Sequence, residues 1–252
     1  MLAICIPVLN EINTLPSMLE RIDRSLGTTS YTVVAVDDSS TDGTWQFLQQ
    51  RCSQDPRLHA IQRPRTGKGC QRGGASRAGL AWLLAHTQAE LFVDIDADGS
   101  QRPEELPAIL EAVAAAHADV AIASKYHPHS KTVNRPALRR AGSRAFSLLL
   151  NAMITSKIND FSNTYRVYNR KAADLAIGFE QRYGGPLHML EMLVTWLAND
   201  LTIIEVPTLY DERSGNVSKV APIDFIRGFQ GAFSVAARYR LGAYGPSTTP
   251  KR

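Results

Sequence analysis

Cysteine is scarce in this 252-residue chain: Cys5, Cys52 and Cys70 are its only three, too few and too scattered for a disulfide framework or a zinc site. That scarcity points to a reducing, cytoplasmic setting. No apolar run approaches the ~20 residues needed to cross a bilayer. The first residues also lack a basic stretch followed by a cleavable apolar segment, so Leu2 to Val8 reads as a strand. A chain of this kind that works on lipid does so from the surface. Internal repeats are absent. Acidic residues are missing altogether from Val120 to Asn159, where Lys125, Lys131, Arg135, Arg139, Arg140, Arg144 and Lys157 all lie. Such a run gathers phosphate charge, or else forms a solvated basic helix face. What is present in ordinary measure is a core: 44% of residues are hydrophobic and the net charge is +4, which suits a polyanionic ligand or an anionic membrane surface.

The most informative stretch is Leu-Phe-Val-Asp-Ile-Asp-Ala-Asp-Gly-Ser-Gln-Arg-Pro, beginning at Leu91. An apolar strand runs into Asp94, Asp96 and Asp98, then Gly99, with Pro103 opening the next helix. Alternate positions on an extended chain point the same way, so the three carboxylates are expected to crowd at a strand end. Crowded carboxylates repel unless a cation sits among them, and Mg²⁺ or Mn²⁺ is the natural occupant. The alternative is a solvated acidic turn.

Around this stretch, strands and helices alternate. Strands are expected at 2–8, 31–36, 58–62, 91–94, 119–124 and 201–206, and helices from the Asn10-Glu11 turn to Gly27 and at 45–54, 75–86, 104–117, 186–198 and 223–239. Thr41 or Asp42 caps the second helix. This rhythm implies an α/β fold with a mostly parallel central sheet and helices on both faces. The basic run leaves the sheet on the edge that carries Asp96 and Asp98. Residues 1–219 are expected to form the main domain, 220–244 an amphipathic helix and 245–252 a disordered tail.

Several motifs occur together in order: Ile-Pro-Val-Leu-Asn-Glu at 6–11, Val-Asp-Asp-Ser-Ser-Thr-Asp-Gly-Thr at 36–44, Gly-Lys-Gly at 67–69 and Asp-Ala-Asp-Gly-Ser-Gln-Arg-Pro-Glu at 96–104. Later come Ser-Lys-Tyr at 124–126, Arg-Arg-Ala-Gly-Ser-Arg at 139–144, Asp160 with Tyr165-Arg166-Val167-Tyr168, and Arg213 followed by Ser218-Lys219. In this the chain resembles glycosyltransferase family 2, with the GT-A fold, and within it the dolichol-phosphate mannose synthase-like group of polyprenyl-phosphate glycosyltransferases. The resemblance implies that Pro7, Leu9, Glu11, Asp37 and Asp38 line a pocket for the nucleotide base and ribose. It also implies that Asp96 and Asp98 hold the Mg²⁺ or Mn²⁺ that bridges the donor diphosphate, with Asp94 a buried neighbour or sugar contact. Lys68 is a secondary phosphate contact. Two departures stand out: Ser162-Asn163-Thr164 replaces a small Thr-Ser-Gly centre before Tyr165, and Lys125 stands where arginine is usual, losing a bidentate fork.

The implied reaction is inverting transfer of a sugar from a GDP- or UDP-linked donor, with Arg213 and Lys219 joining the metal in stabilising the departing diphosphate. A polyprenyl phosphate acceptor is already anionic and needs no strong base; Arg139, Arg140 and Arg144 would hold its phosphate. A hydroxyl acceptor needs a base, for which Asp160 and Glu191 are the candidates. A metal-dependent nucleotidyltransferase is the other enzymatic reading, although no Gly-rich, Arg-containing triphosphate loop follows the first strand. Nucleic-acid binding leaves Asp37, Asp38, Asp96 and Asp98 without a purpose. Oligomeric state and peripheral membrane contact are left open.

Overall fold

Seven apolar residues, Leu2–Val8, form strand β1, buried along its whole length. Alternation divides it between two layers: Ala3 and Cys5 face one apolar cluster, while Leu2, Ile4, Ile6 and Val8 face the other. A strand sandwiched in this way must sit inside a sheet covered on both faces. In this computed structural model, which describes residues 1–64, 72–134, 137–154, 156–185, 187–211 and 222–245 (backbone alone for 137–140 and 222–227), it does.

The remaining strands are β2 (Tyr31–Asp37), β3 (Leu58–Gln62), β4 (Leu91–Asp94), β5 (Val120–Ser124), β6 (Lys131–Val133), β7 (Arg166–Asn169), β8 (Ile203–Pro207) and β9 (Leu209–Asp211). The main sheet runs β3-β2-β1-β4-β7-β5-β8, parallel except for β7; β6 and β9 pair in a small second sheet. Helices α1 (Leu15–Leu26), α2 (Thr44–Cys52) and α4 (Leu106–Ala116) cover one face through Met18, Ile22, Leu48 and Ile109. On the other lie α3 (Arg72–His86), α5 (Ala137–Ile154), α6 (Arg170–Gly178), α7 (Leu187–Ala198) and α8 (Pro222–Arg240). Helix α3 lies close against the sheet because Gly79 lacks a side chain: a Cβ there would meet Cys5 Sγ at 2.5 Å and Val36 at 2.9 Å. Helix α8 packs its Ala232, Val235 and Ala236 into the core and so completes the domain.

The mostly parallel α/β architecture is as expected, with corrections at particular elements. Residues 166–169, where no strand was expected, form one antiparallel to both neighbours, with Arg166 opposite Asp94 and Ile122. The basic run resolves into β6 and the long helix α5, and α6 was not anticipated at all; Asn169 caps it by accepting from Ala172 N at 2.9 Å. Helix α3 begins at Arg72, three residues early. At α2 the cap position belongs to Gly43 at φ 96°, while Asp42 Oδ1 accepts the Thr44 N–H at 3.0 Å. Among the described residues no helix is long and apolar enough to cross a membrane.

Because β1, β2, β4, β5 and β8 are parallel, their carboxyl ends share one edge. Running the other way, β7 brings its beginning, and the 160–165 loop ahead of it, to that same edge. Open α/β sheets bind ligands there.

Candidate active site

The first wall is made where β1 and β2 end. Asn10, at φ 56°, donates its N–H to Ser40 Oγ at 2.8 Å and accepts from Thr41 N at 2.8 Å. Glu11 N donates to Thr44 Oγ1 at 2.9 Å, and Ile12 N to Asp42 Oδ2 at 3.1 Å. The two loops are thereby fixed as one surface. Pro7 is buried in β1, with Leu9 and Glu11 partly exposed beyond it; Glu11 Oε2 accepts from Thr14 Oγ1 at 2.6 Å. Asp37 is wholly buried and accepts from Ser40 N and Gln62 Nε2 at 3.1 and 3.2 Å. Asp38 pairs with Arg63 at 3.0 Å, a partner that the sequence reading did not single out.

The acidic stretch forms the centre, but not as three parallel prongs. The strand stops at Asp94, and a turn with Gly99 at φ 75° carries Asp96 and Asp98 away from the pleat. Asp94 faces the core, accepting from Tyr168 Oη at 2.9 Å, and burial pushes its carboxyl up against the opposing pull of Arg72. Asp96 is the hub. Its Oδ1 lies 2.5 Å from Arg72 Nε, and its Oδ2 accepts from Thr164 Oγ1 at 2.5 Å and Gln101 Nε2 at 3.0 Å. Gln101 also accepts from Asp96 N at 2.9 Å. Asp98 accepts from Ser100 N at 2.9 Å, and burial, then the charge of Asp96, push its carboxyl up.

Among the described residues no three His, Cys, Asp or Glu side chains come together as a metal site. Asp96 and Asp98 nevertheless fit a hard divalent ion, since a carboxylate whose ionisation is opposed by burial and by a neighbouring carboxylate, as Asp98 is, is what such an ion relieves. Mg²⁺ in particular is held by one or two carboxylates with substrate phosphates completing the shell.

The third wall is the 160–166 loop. Asp160 is fully buried; Oδ1 accepts from Ser162 N at 3.1 Å and Asn163 N at 2.9 Å, and Oδ2 accepts from Lys125 N at 2.9 Å and lies 3.5 Å from Lys125 Nζ. Burial works against its charge, yet Lys125 and these backbone donors hold the carboxyl below its usual range. Arg166, also buried, donates to the carbonyls of Asn163, Met189 and Phe161, and burial brings it down to about 10. Glu191 on α7 accepts from Arg182 N at 3.2 Å and Tyr183 N at 3.1 Å, and from Tyr244 Oη at 3.3 Å. Burial raises its carboxyl, opposed by those donors.

Helices α3 and α7 meet behind the hub. Gly73 N donates to Gly184 O at 2.8 Å, and a Cβ at Gly73 would stand 2.5 Å from His188 Cβ. Burial, then Arg72, push His188 down to about 3, so it is a neutral neighbour.

Of the remaining sequence candidates, Lys68, Arg213 and Lys219 lie outside the described residues, as do the side chains of Arg139 and Arg140; Arg144 is exposed on α5. Asp211, just before the segment with Arg213, donates its N–H to Ser100 O at 3.2 Å, beside the acidic turn. Arg72, Gln101 and Thr164 were missed. Gln101 and Thr164 sat inside quoted motifs with no role assigned, and Arg72 had no signal beyond a cation following a glycine-rich loop.

Comparison with known proteins agrees with this architecture. The chain is 36% identical over 219 residues to an undecaprenyl-phosphate mannosyltransferase of Micrococcus luteus, covering 86% of each. It is 33% identical over 224 residues to a polyprenol monophosphomannose synthase of Mycolicibacterium smegmatis, covering 86% of this chain and 80% of that one. Glucosyl-3-phosphoglycerate synthase from Mycobacterium tuberculosis, solved with Mn²⁺ and uridine-diphosphate-glucose, superposes with a TM-score of 0.64 at 18% identity, over 98% of this chain and 80% of that one. That likeness establishes the GT-A fold. Residues 3–175 match the profile of glycosyl transferase family 2, and with relatives at this identity over most of its length the chain belongs to that family.

Proposed function

We propose that the protein transfers a hexose, mannose being favoured by the names of its relatives, from a nucleoside diphosphate sugar to a polyprenyl phosphate at a membrane surface, with inversion. The observation that carries the acceptor class is the state of the two candidate bases. Both Asp160 and Glu191 are fully buried, and their oxygens are taken up by backbone N–H groups and neighbouring side chains. Lys125 and its backbone donors hold Asp160 below its usual range, which makes it a weak base, and Glu191, though raised by burial, is enclosed with its oxygens bonded and offers no open face to a hydroxyl. A phosphate acceptor removes the need for one, since its oxygen attacks already ionised.

In this reading the ends of β1 and β2 and the loops that follow them, with Pro7, Leu9, Glu11, Asp37 and Asp38, seat the nucleoside, whose N–H and hydroxyl groups suit carboxylate acceptors. Asp96 and Asp98 would hold Mg²⁺ or Mn²⁺, which when bound supplies positive charge against the diphosphate. Gln101 and Thr164 orient Asp96 through its Oδ2. Asp160 and Lys125 stiffen the acceptor-side loop, and Arg213 and Lys219 add positive charge toward the leaving group. Arg139, Arg140 and Arg144 of α5 would supply the positive charge for the acceptor phosphate. Surface contact is supported by apolar side chains on the paired helices α5 and α8, whose Phe146 and Phe229 rings lie 4.4 Å apart: Leu148, Leu149, Phe229 and Phe233 are exposed.

The test is a mass-spectrometric screen of GDP- and UDP-sugars with Mn²⁺ or Mg²⁺, offering a short polyprenyl phosphate beside soluble hydroxyl acceptors. Product on the polyprenyl phosphate alone is expected. Glycosylation of hydroxyl acceptors alone overturns the acceptor assignment, and metal-independent turnover overturns the cofactor.

A further inference from the structure

The protein's own groups engage both oxygens of Asp96. Gln101 and Thr164 hold Oδ2, and Arg72 holds Oδ1. The fit of Arg72 is poor. Its Nη2 lies 2.5 Å from the same Oδ1 that Nε contacts, buried and without an aligned hydrogen bond. The guanidinium thus crowds two nitrogens onto one oxygen where a fork across two oxygens is its strong geometry. Nη1 faces the thioether of Met189 at 3.8 Å, a weak acceptor.

A second seat is already in place. Asp94 is wholly buried, its Oδ2 accepts from Tyr168, and among the described residues its Oδ1 has no hydrogen-bond partner. Both Asp94 and Asp96 act on Arg72 electrostatically. The helix itself cannot follow such a shift, because Gly73 is bonded to Gly184 and pressed on His188. Any exchange between the two carboxylates is therefore a side-chain movement.

We infer that Arg72 is an exchangeable cation: it holds Asp96 while the site is empty and passes to Asp94 Oδ1 when a divalent ion arrives, releasing Asp96 Oδ1 for coordination. This rests on the reading in which Asp96 and Asp98 hold that ion. With the ion absent, Arg72 screens the neighbouring carboxylates; with it present, Arg72 left on Asp96 would face a like charge. Asp94 then has a positioning role through Arg72, and the two sites are coupled reciprocally.

The experiment is a double-mutant cycle on Mn²⁺ binding, measured by calorimetry without nucleotide and again with UDP or GDP, using wild type, Arg72→Gln, Asp94→Asn and the double variant. Folding of each is checked by circular dichroism. Arg72→Gln is expected to bind Mn²⁺ about tenfold more tightly than wild type without nucleotide, and Asp94→Asn about fivefold more weakly, with the Asp94→Asn effect vanishing in the Arg72→Gln background. Should Asp94→Asn fail to fold, Arg72→Lys replaces it: retaining the charge, it keeps Mn²⁺ affinity near wild type while Arg72→Gln does not. Equal Mn²⁺ affinity in wild type and Arg72→Gln, or an Asp94→Asn effect of the same size in both backgrounds, overturns the exchange but leaves the metal assignment standing. Absence of Mn²⁺ binding in every variant, with and without diphosphate, overturns both.

Discussion

Replacing Asp160 separates a structural anchor from a catalytic base. Alanine there removes the acceptor of Lys125, Ser162 and Asn163 backbone N–H groups and the carboxylate partner of the Lys125 ammonium, whose side chain is 8% exposed and keeps only Ser162 Oγ and the Tyr210 ring among the described residues. Each buried donor left unsatisfied costs about 1–3 kcal/mol, and breaking a buried ion pair by deleting one partner costs about 3–5 kcal/mol. These contributions overlap, because one relaxation of the loop admits water to all of them. The expected loss is therefore about 3–5 kcal/mol, which for a chain of this size lowers Tm by roughly 6–20 °C. Asn keeps one acceptor oxygen and should lose roughly 1–3 kcal/mol. The pH dependence has a definite sign. Asp160 is held below its usual range in the folded state, so its stabilisation is complete above the unfolded value of about 3.9 and is lost as pH falls through the folded value. The stability gap between wild type and Asp160→Asn should be flat near neutrality and narrow only in acid. Thermal unfolding across that range, with turnover measured alongside, decides the matter. An Asp160→Ala protein as stable as wild type, or an Asp160→Asn protein of unchanged Tm with turnover lost, would refute the anchor and restore the base.

Asp98→Asn and Asp96→Asn should each lower kcat by at least about a hundredfold. Asp98→Asn should leave Tm near wild type, since among the described residues Asp98 receives bonds from Ser100 alone, and steady-state kinetics with differential scanning calorimetry checks both. Arg213→Ala should reduce kcat more than donor affinity, read by comparing turnover with donor titration; a pure affinity loss would remove its leaving-group role. Gly79→Ala should destabilise by about 1–3 kcal/mol in urea unfolding, because its Cβ would meet Cys5 Sγ at 2.5 Å and the sheet cannot give way cheaply.

The elements read correctly from the sequence are those whose residues obey one rule at a time. Strands β1 and β2 are buried on both faces, so their apolar runs are unbroken, and each ends in the polar residues that form the site. Strand β7 broke that pattern. It is four residues long and opens with Arg166, a charge at a buried strand position that is tolerable only because three carbonyl oxygens and the Trp196 ring, 5.5 Å away, receive the guanidinium. Two of those carbonyls belong to the loop just before the strand, but the Met189 carbonyl and the Trp196 ring come from distant α7, and nothing local announces them. Helix α5 was hidden differently: Phe146, Leu150 and Ile154 recur at helical spacing, but the stretch was read for its charge. Arg72 was invisible for the same reason as β7, since its partners Asp94 and Asp96 belong to another strand end.

The failure of the three-pronged expectation has its own consequence. Alternation would align Asp94, Asp96 and Asp98 only while the chain stays extended, and it does not: β4 ends at Asp94, which goes to Tyr168 in the core. Two carboxylates are left at the turn, one of them already paired with Arg72. A hard cation offered so few protein oxygens is completed by those of its ligand. If Asp96 and Asp98 hold the ion, Mn²⁺ should therefore bind weakly alone and more tightly with UDP or GDP present, and each should strengthen the other by the same factor. Calorimetric titration in both orders measures the two factors. Mn²⁺ affinity indifferent to the diphosphate would mean that the ion is held by protein alone, somewhere other than this turn.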